Sequence, residues 1–231
     1  MAGYKFILFD ADNTLFDFTR SEREAVAEAL RDFGFDPTDG VIDDYSRINQ
    51  SLWEKLERGE TEKHRLRVER FELLFEKEGY DPDKAHAVSD RYSERLARKA
   101  YLIDGAEEIL KSLAPHAGLY IVTNGIKNIQ ESRFDMSGLG KYIRASFISE
   151  EIGFEKPDAR FFDEVERRIP DFSRAEALIV GDSLTSDIRG GINAGIDTCW
   201  FNPRRKATPG DMKINYVIGD LSELKKIVLG E

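Results

Sequence analysis

The alternation of hydrophobic and polar positions divides the chain into two kinds of segment. Short apolar runs that are bounded by Gly, Asp or Asn, and are partly β-branched or aromatic, are typical of buried parallel strands. They predict five strands, at residues 4–9, 119–123, 145–148, 177–180 and 198–201. Amphipathic segments at 106–114 and 157–169 predict helices between the later strands. Strands that alternate with helices indicate a Rossmann-like, doubly wound α/β fold with a parallel sheet.

Residues 17–99 break this alternation, because they contain helical patterns and no convincing strand. The first of these patterns opens with Thr19 and Glu22, which match a capping box, and it stops at Gly34. We therefore predict an all-helical cap domain at 17–99, inserted into an α/β core formed by 1–16 and 100–231. The helical domain either only covers the sheet or acts as a lid over a site at the strand ends.

Composition narrows the classes of function. The net charge is −10, with 34 Lys and Arg against 44 Asp and Glu, which argues against binding a nucleic-acid polymer. No apolar run reaches 18 residues and the first residues do not resemble a signal peptide, so we expect a cytoplasmic protein with no membrane span. Cys199 is the only cysteine, which excludes an internal disulfide, and its position predicts a small buried side chain.

Polar residues collect where the predicted strands end, which is where open α/β sheets bind their ligands. The set contains Asp10, Asp12 and Thr14 after the first strand, Thr123, Asn124 and Gly125 after the second, Lys156 after the third, and Asp182, Ser183 and Asp187 after the fourth. This combination suits phosphoryl transfer. One aspartate attacks phosphorus, Mg²⁺ and a lysine neutralise the phosphate, and a second acid protonates the leaving group.

Each of these residues also has a purely structural explanation. Asp10 and Asp12 could be turn residues at a strand end, and Thr123, Asn124 and Ser183 could cap helices. Separate structural roles do not explain why all of them lie at strand ends. The shared location therefore favours the catalytic interpretation.

Four segments resemble the signatures of the haloacid dehalogenase-like phosphohydrolases in order and spacing: DADNT, TNG, the lysine of EKP, and GDSLTSD. The resemblance implies that Asp10 is the nucleophile and a Mg²⁺ ligand. It implies that Asp12 is the general acid and base, and that its backbone carbonyl binds the same single ion. Asp182 is implied as a further metal ligand, with Asp187 and Ser183 in supporting positions.

The same resemblance assigns the phosphate-binding groups. It implies that Thr123, together with Asn124 and Gly125, binds phosphate and that Lys156 pairs with both the phosphate and Asp10. Asp12 also separates two branches of the family. The members that break carbon–halogen bonds lack an acid at this position, because a halide leaves without a proton, whereas an alkoxide needs one. The presence of Asp12 therefore indicates a phosphate ester.

The inserted helices resemble the family's small helical cap, which implies a small substrate molecule. INQSLWEKLERGE, RVERF, ISEEIGFEKPDARFF and GDSLTSDIRGGINAGIDTCWFNP are similar to the 5′-nucleotidases of pyrimidine nucleoside monophosphates. That similarity implies UMP, dUMP, dTMP or modified analogues as substrates. We expect Asn49, Trp53 and Arg70 to face the base or sugar of the substrate. Phe16 is expected to line the bottom of the substrate pocket. For Trp53 and Phe16, packing inside the protein is an equal alternative.

Three other functions stay open at this stage. The chemistry would equally serve a phosphatase of another small metabolite, such as a sugar phosphate, phosphoglycolate or an acylneuraminate phosphate. A phosphomutase would need a phosphoenzyme protected from water, and no cap signature suggests one. A non-catalytic binding module on this fold would have no need of the four residues Asp10, Asp12, Lys156 and Asp182 together.

Overall fold

The computed structural model describes residues 3–230, and its core is a six-stranded parallel sheet. The strand order is β3-β2-β1-β4-β5-β6, and each neighbouring pair is parallel. The strands are β1 (Phe6–Phe9), β2 (Gly118–Thr123), β3 (Ala145–Ile148), β4 (Ala177–Gly181), β5 (Asp197–Phe201) and β6 (Tyr216–Ile218). The doubly wound α/β fold predicted from the sequence is confirmed. Cys199 is fully buried in β5, also as predicted.

The central strands are covered on both faces. Every residue of β1, β2 and β4 is buried, and successive side chains point to opposite faces of a sheet. On one face, Leu8 and Ile179 pack with Phe161 and Phe162. The parallel register aligns the strand ends, since Phe9 is paired with both Ile121 and Val180. The residues that follow these strands are therefore brought to one edge of the sheet.

The helices of the α/β unit connect these strands. They are α5 (Ala106–Leu113), α6 (Lys127–Ser137), α7 (Ser149–Ile152), α8 (Ala159–Arg168), α9 (Arg189–Ala194) and α10 (Leu224–Leu229). The sequence pattern does not predict β6, which has three residues and an exposed Val217. A strand this short at the edge of a sheet shows no alternation that could be distinguished from a loop.

A second compact unit spans Phe18–Tyr101, and the residues up to Asp17 and from Leu102 onward form the α/β unit. The helical domain predicted at 17–99 begins one residue before the second unit and ends two residues before the end of that unit. The second unit contains α1 (Phe18–Asp32), α2 (Asp39–Glu57), α3 (Lys63–Glu78) and α4 (Ala85–Leu96). None of the helices described for residues 3–230 is long and apolar enough to cross a membrane.

The expected capping box at the start of α1 is wrong. The helix begins at Phe18, so Thr19 lies inside its first turn rather than before it. The carboxylate of Glu22 is buried and accepts hydrogen bonds from Ser46 (2.8 Å) and Asn49 (2.6 Å) of α2. Glu22 therefore links two helices of the second unit instead of closing the end of its own.

Candidate active site

The site begins with a tight turn directly after β1. The Asp10 amide still donates to the carbonyl of Val180 (2.9 Å), so Asp10 is fixed to the sheet. The amides of Leu15 and Phe16 both donate to the Ala11 carbonyl, at 3.0 and 2.9 Å. Asn13 adopts a φ of 58°, a left-handed conformation that asparagine tolerates better than most residues. The turn therefore holds the Asp10 and Asp12 backbone at the carboxyl edge of the sheet.

Lys156 lies between two of the carboxylates and is fully buried. Its Nζ is 2.8 Å from Asp10 Oδ1, 2.6 Å from Asp187 Oδ1 and 2.7 Å from the carbonyl oxygen of Val122. An ammonium group has three hydrogens to donate, and these three acceptors use all of them. Lys156 is thus placed as a fixed positive charge between Asp10 and Asp187, and its predicted contact with phosphate stays a prediction.

Asp182 and Asp187 follow β4 and complete the group of acids. Asp187 lies in a π-helical turn, Leu184–Ile188, and its Oδ2 accepts from the Ser183 amide at 3.1 Å. Its side chain lies against Gly181, where an added Cβ would come within 2.2 Å of the Asp187 carboxylate. The Asp182 carbonyl accepts from the Trp200 indole at 2.9 Å. The Ser183 hydroxyl caps the turn by accepting from the Ser186 amide, which is the structural role considered above.

The carboxylates are close enough to repel one another strongly. Asp10, Asp182 and Asp187 each offer an oxygen, and these oxygens all lie within 4.8 Å of one another. Burial, followed by the nearby charge of Asp187, raises the pKa of Asp10 well above its usual range and that of Asp182 to about 7. Burial would lower the pKa of Lys156, but the charges of Asp10 and Asp187 outweigh it and raise that pKa.

This arrangement fits a divalent cation with a preference for oxygen ligands. Mg²⁺ binds carboxylate oxygens and usually retains several waters, so it does not need a closed cage of protein ligands. Three acids held together, with a buried lysine facing two of them, are costly without further positive charge. The oxygen-only donor set and the raised pKa values therefore agree with a Mg²⁺ site.

The TNG segment that follows β2 contributes to the site in two ways. The Thr123 hydroxyl is buried at the strand end and accepts from the Gly125 amide at 3.0 Å. The Asn124 side chain instead holds the segment of Lys156, because its Nδ2 donates to the Lys156 carbonyl and its Oδ1 accepts from the Lys156 amide, both at 2.8 Å. Asn124 therefore ties the second and third signature segments together, a role that the sequence did not indicate.

Asp12 contacts two residues that the sequence reasoning missed. Its Oδ2 accepts from Gln130 Nε2 at 2.6 Å, and its Oδ1 pairs with Arg133 Nη1. Both partners are buried on α6, three positions apart and therefore on the same face of the helix. Two polar residues at this spacing, about one turn after the TNG segment, form a signal that sequence reasoning could have used.

The predicted cap residues lie inside the helical unit. Asn49 is 3% exposed and Arg70 is 1% exposed, and Arg70 donates to the Asn49 side chain at 3.1 Å. The Arg70 guanidinium also lies 4.6 Å from the ring centre of Tyr92. Trp53 is half-buried and packs against the cluster that contains Leu52. The substrate-facing role of these residues stays a prediction, and the contacts found here favour packing.

Phe16 belongs to the α/β unit and is fully buried there. The guanidinium carbon of Arg133 lies 4.4 Å from the Phe16 ring centre, and the Phe134 ring meets it edge-on at 4.9 Å. The Phe16 ring thus packs against the guanidinium group of Arg133. These contacts favour the packing alternative over a place in the substrate pocket.

The fold and this arrangement of acids and lysine at the strand ends define a hydrolase of the α/β type with an inserted helical unit. A family model for haloacid dehalogenase-like hydrolases matches residues 4–195. The chain belongs to that family, as the four signature segments indicated.

Relatives of nearly the same length refine this assignment. The chain is 39% identical to HAD-hydrolase YfnB of Bacillus subtilis, over 99% of this chain and 97% of that protein. It is 41% identical to the pyrimidine 5′-nucleotidase PynA of Streptococcus pneumoniae, over 96% and 93% of the two chains. It is 31% identical to the pyrimidine 5′-nucleotidase YjjG of Escherichia coli, over 97% and 98%.

A crystal structure of YfnB with bound magnesium superimposes on this one with a TM-score of 0.93, covering 98% of this chain and 99% of that chain at 38% identity. The protein is thus an enzyme, a hydrolase similar to phosphatases and 5′-nucleotidases. The cluster of Asp10, Asp182 and Asp187 is consistent with the magnesium that the similar structure of YfnB contains.

Proposed function

We propose that this protein is a Mg²⁺-dependent phosphomonoester hydrolase that acts through an aspartyl phosphate on Asp10. Its substrates are pyrimidine nucleoside 5′-monophosphates such as UMP, dUMP and dTMP. The observation that carries this proposal is the separation of two neighbouring carboxylates into different surroundings. Asp10 faces Lys156 and two further acids, whereas Asp12 faces Gln130 and Arg133. This separation supports the proposal that Asp10 attacks phosphorus and Asp12 transfers the proton.

The proposed reaction has two steps that these residues share. In the first step, a carboxylate oxygen of Asp10 forms a bond to phosphorus, the ester P–O bond breaks, and the leaving oxygen takes a proton from Asp12. In the second step, Asp12 removes a proton from water, the water oxygen bonds to phosphorus, and the Asp10–phosphorus bond breaks to release phosphate. Both aspartates then return to their starting forms.

The charge on the phosphate has to be balanced for this approach. Mg²⁺ would supply that balance, and we propose Asp10, Asp182 and the backbone carbonyl of Asp12 as its protein ligands, for one ion. Lys156 contributes a fixed positive charge at Asp10. The Thr123 hydroxyl and the backbone amide of Asn124 are the proposed donors to the phosphate oxygens. The Gly125 amide, expected from the sequence to take part, already donates to the Thr123 hydroxyl.

The choice of substrate rests on the relatives. PynA and YjjG are both pyrimidine 5′-nucleotidases and match this chain over nearly its whole length. Asp12 supports an ester with an alkoxide leaving group, because such a group needs a proton that a halide would not need. A ribose 5′-oxygen is a leaving group of this kind.

The test is a panel of phosphate esters assayed with Mg²⁺. The panel contains dTMP, UMP, a purine nucleotide, glucose 6-phosphate, phosphoglycolate and an acylneuraminate phosphate. We expect the highest kcat/KM for the pyrimidine nucleotides. If dTMP and UMP are hydrolysed no better than the sugar phosphates, the nucleotidase assignment is wrong while the phosphatase chemistry stands.

Asp10→Asn tests the covalent step. We expect turnover to be lost while the circular dichroism spectrum keeps its folded form. The matched control is Asp211→Asn, the same substitution at an exposed loop residue, which should keep full activity. A variant Asp10→Asn with undiminished turnover would exclude the aspartyl phosphate.

A further inference from the structure

The carboxyl group of Asp12 is held at both of its oxygens by one helix. Gln130 donates to Oδ2 at 2.6 Å and Arg133 donates to Oδ1. A carboxyl group with one donor at each oxygen has its rotation fixed by the positions of those donors. The orientation of Asp12 is therefore determined by α6, a helix that carries none of the four signature segments.

Gln130 also contacts the phosphate-binding segment. Its Nε2 lies 3.2 Å from the Thr123 hydroxyl, so its two amide hydrogens can serve Asp12 and Thr123. The Thr123 hydroxyl already accepts from the Gly125 amide, and a hydroxyl has two lone pairs and one hydrogen. With both lone pairs occupied, its hydrogen is left to donate, which is the role a phosphate oxygen requires.

Gly125 makes room for this arrangement. A Cβ added at Gly125 would come within 2.1 Å of Gln130 Nε2, which is far inside van der Waals contact. A glycine at this point of the TNG segment thus allows the Gln130 amide to lie over the backbone and reach Asp12.

Arg133 is held as firmly as the acid it pairs with. Its side chain is completely buried, its guanidinium lies over the Phe16 ring, and its Nη1 is 3.4 Å from Gln130 Oε1. The contact with Gln130 Oε1 also fixes which end of the Gln130 amide faces Asp12. Gln130 and Arg133 therefore form one buried unit behind the acid.

We propose that Gln130 and Arg133 are positioning residues that orient the Asp12 carboxyl group for proton transfer to the leaving oxygen, and that Gln130 also orients the Thr123 hydroxyl as a phosphate donor. This inference rests on the proposed phosphatase reaction. In that reaction the ester P–O bond breaks as Asp10 bonds to phosphorus, and the Asp12 proton moves to the departing oxygen. Losing the orientation of Asp12 should therefore slow reactions in proportion to their need for that proton.

The experiment compares two esters of similar shape that differ in this need. Phenyl phosphate releases a basic phenolate, whereas 4-nitrophenyl phosphate releases a much more stable anion. The kcat/KM values report the steps through departure of the leaving group. We expect Gln130→Met and Arg133→Lys to lower kcat/KM for phenyl phosphate at least about 10-fold more than for 4-nitrophenyl phosphate. The control is Glu131→Gln, an exposed neighbour on the same helix, which should leave both values unchanged.

A double-substitution cycle separates positioning from general damage to the fold. Asp12→Asn should also act mainly on phenyl phosphate, and adding Gln130→Met to it should not change the ratio of the two substrates further. If Arg133→Lys fails to fold, Gln130→Met carries the test alone, with its folding checked by thermal unfolding. Equal losses for both esters, or no loss, would overturn the inference while the phosphatase assignment stands. A wild-type protein that releases phosphate from neither these esters nor dTMP and UMP would overturn both.

Discussion

The crowding of Asp10, Asp182 and Asp187 predicts that Asp182→Asn makes the metal-free protein more stable at neutral pH. Burial and the charge of Asp187 raise the pKa of Asp182 from 3.8 to about 7. A carboxyl group with a higher pKa in the folded state binds its proton more tightly there than in the unfolded chain. The free energy of unfolding therefore falls as the pH rises from about 4 to about 7. Asparagine has nearly the same shape and removes this contribution.

The size of the effect follows from the shift itself. The pKa changes from 3.8 to about 7, and each unit corresponds to about 1.36 kcal/mol, which gives at most about 4 kcal/mol at pH 7. Much of this penalty is absent at pH 5, where Asp182 is still largely protonated in the folded state. The advantage of Asp182→Asn over the wild type should therefore grow by about 2–3 kcal/mol between pH 5 and pH 7.5.

Urea unfolding in the presence of EDTA, at these two pH values, measures the difference. The control is again Asp211→Asn, whose exposed side chain should change the free energy of unfolding by no more than about 0.5 kcal/mol at either pH. Adding Mg²⁺ should stabilise the wild type much more than Asp182→Asn, which has lost a proposed ligand. The reasoning is refuted if Asp182→Asn is less stable than the wild type in EDTA at pH 7.5, or if the difference does not change with pH.

Three further predictions concern other parts of the protein. Mg²⁺ affinity measured by calorimetry should weaken as the pH falls below about 7, because protons compete with the metal for Asp182. An affinity that does not change across that pH range would contradict the proposed role of Asp182 as a ligand. Arg70→Met should lower the free energy of unfolding by about 1–3 kcal/mol, because it removes buried hydrogen bonds to Asn49 and to the Arg67 carbonyl. The exposed Arg65→Met on the same helix should cost at most about 1 kcal/mol. Asn124→Ala should lower kcat more than it raises KM, because it frees the backbone of Lys156, and unchanged kinetics would show that this tie is not needed.

Much of the α/β unit could be predicted because parallel strands bury both faces and leave short, continuous apolar runs. Five strands were predicted in this way. Three of the four signature segments lie at or just beyond a strand end, and the segment with Lys156 follows β3 after the short helix α7. The register of a parallel sheet then brings those ends together without any information about side chains. This is why Asp10, Lys156 and Asp187 could be placed together from sequence order alone.

The parts that the sequence did not predict depend on contacts between side chains far apart in the chain. The spacing of Gln130 and Arg133 places them on one face of α6, but only the packing of that helix against Asp12 shows which residue they contact. The same holds for Glu22, whose spacing from Thr19 matches a capping box but whose carboxylate binds α2 instead. A local pattern reports which residues lie near one another along the chain, and tertiary packing can assign the same side chain to another partner.

The environment of Lys156 bears on how inhibitors of this protein should be sought. All three hydrogens of its ammonium group are already donated to protein acceptors, so an incoming anion has to compete with a carboxylate or with the Val122 carbonyl. Compounds designed to form an ion pair with this lysine would gain little from it. With the proposed Mg²⁺ site, phosphate mimics that carry oxygen ligands for the ion have a better starting point, and screening is best done with Mg²⁺ in the buffer.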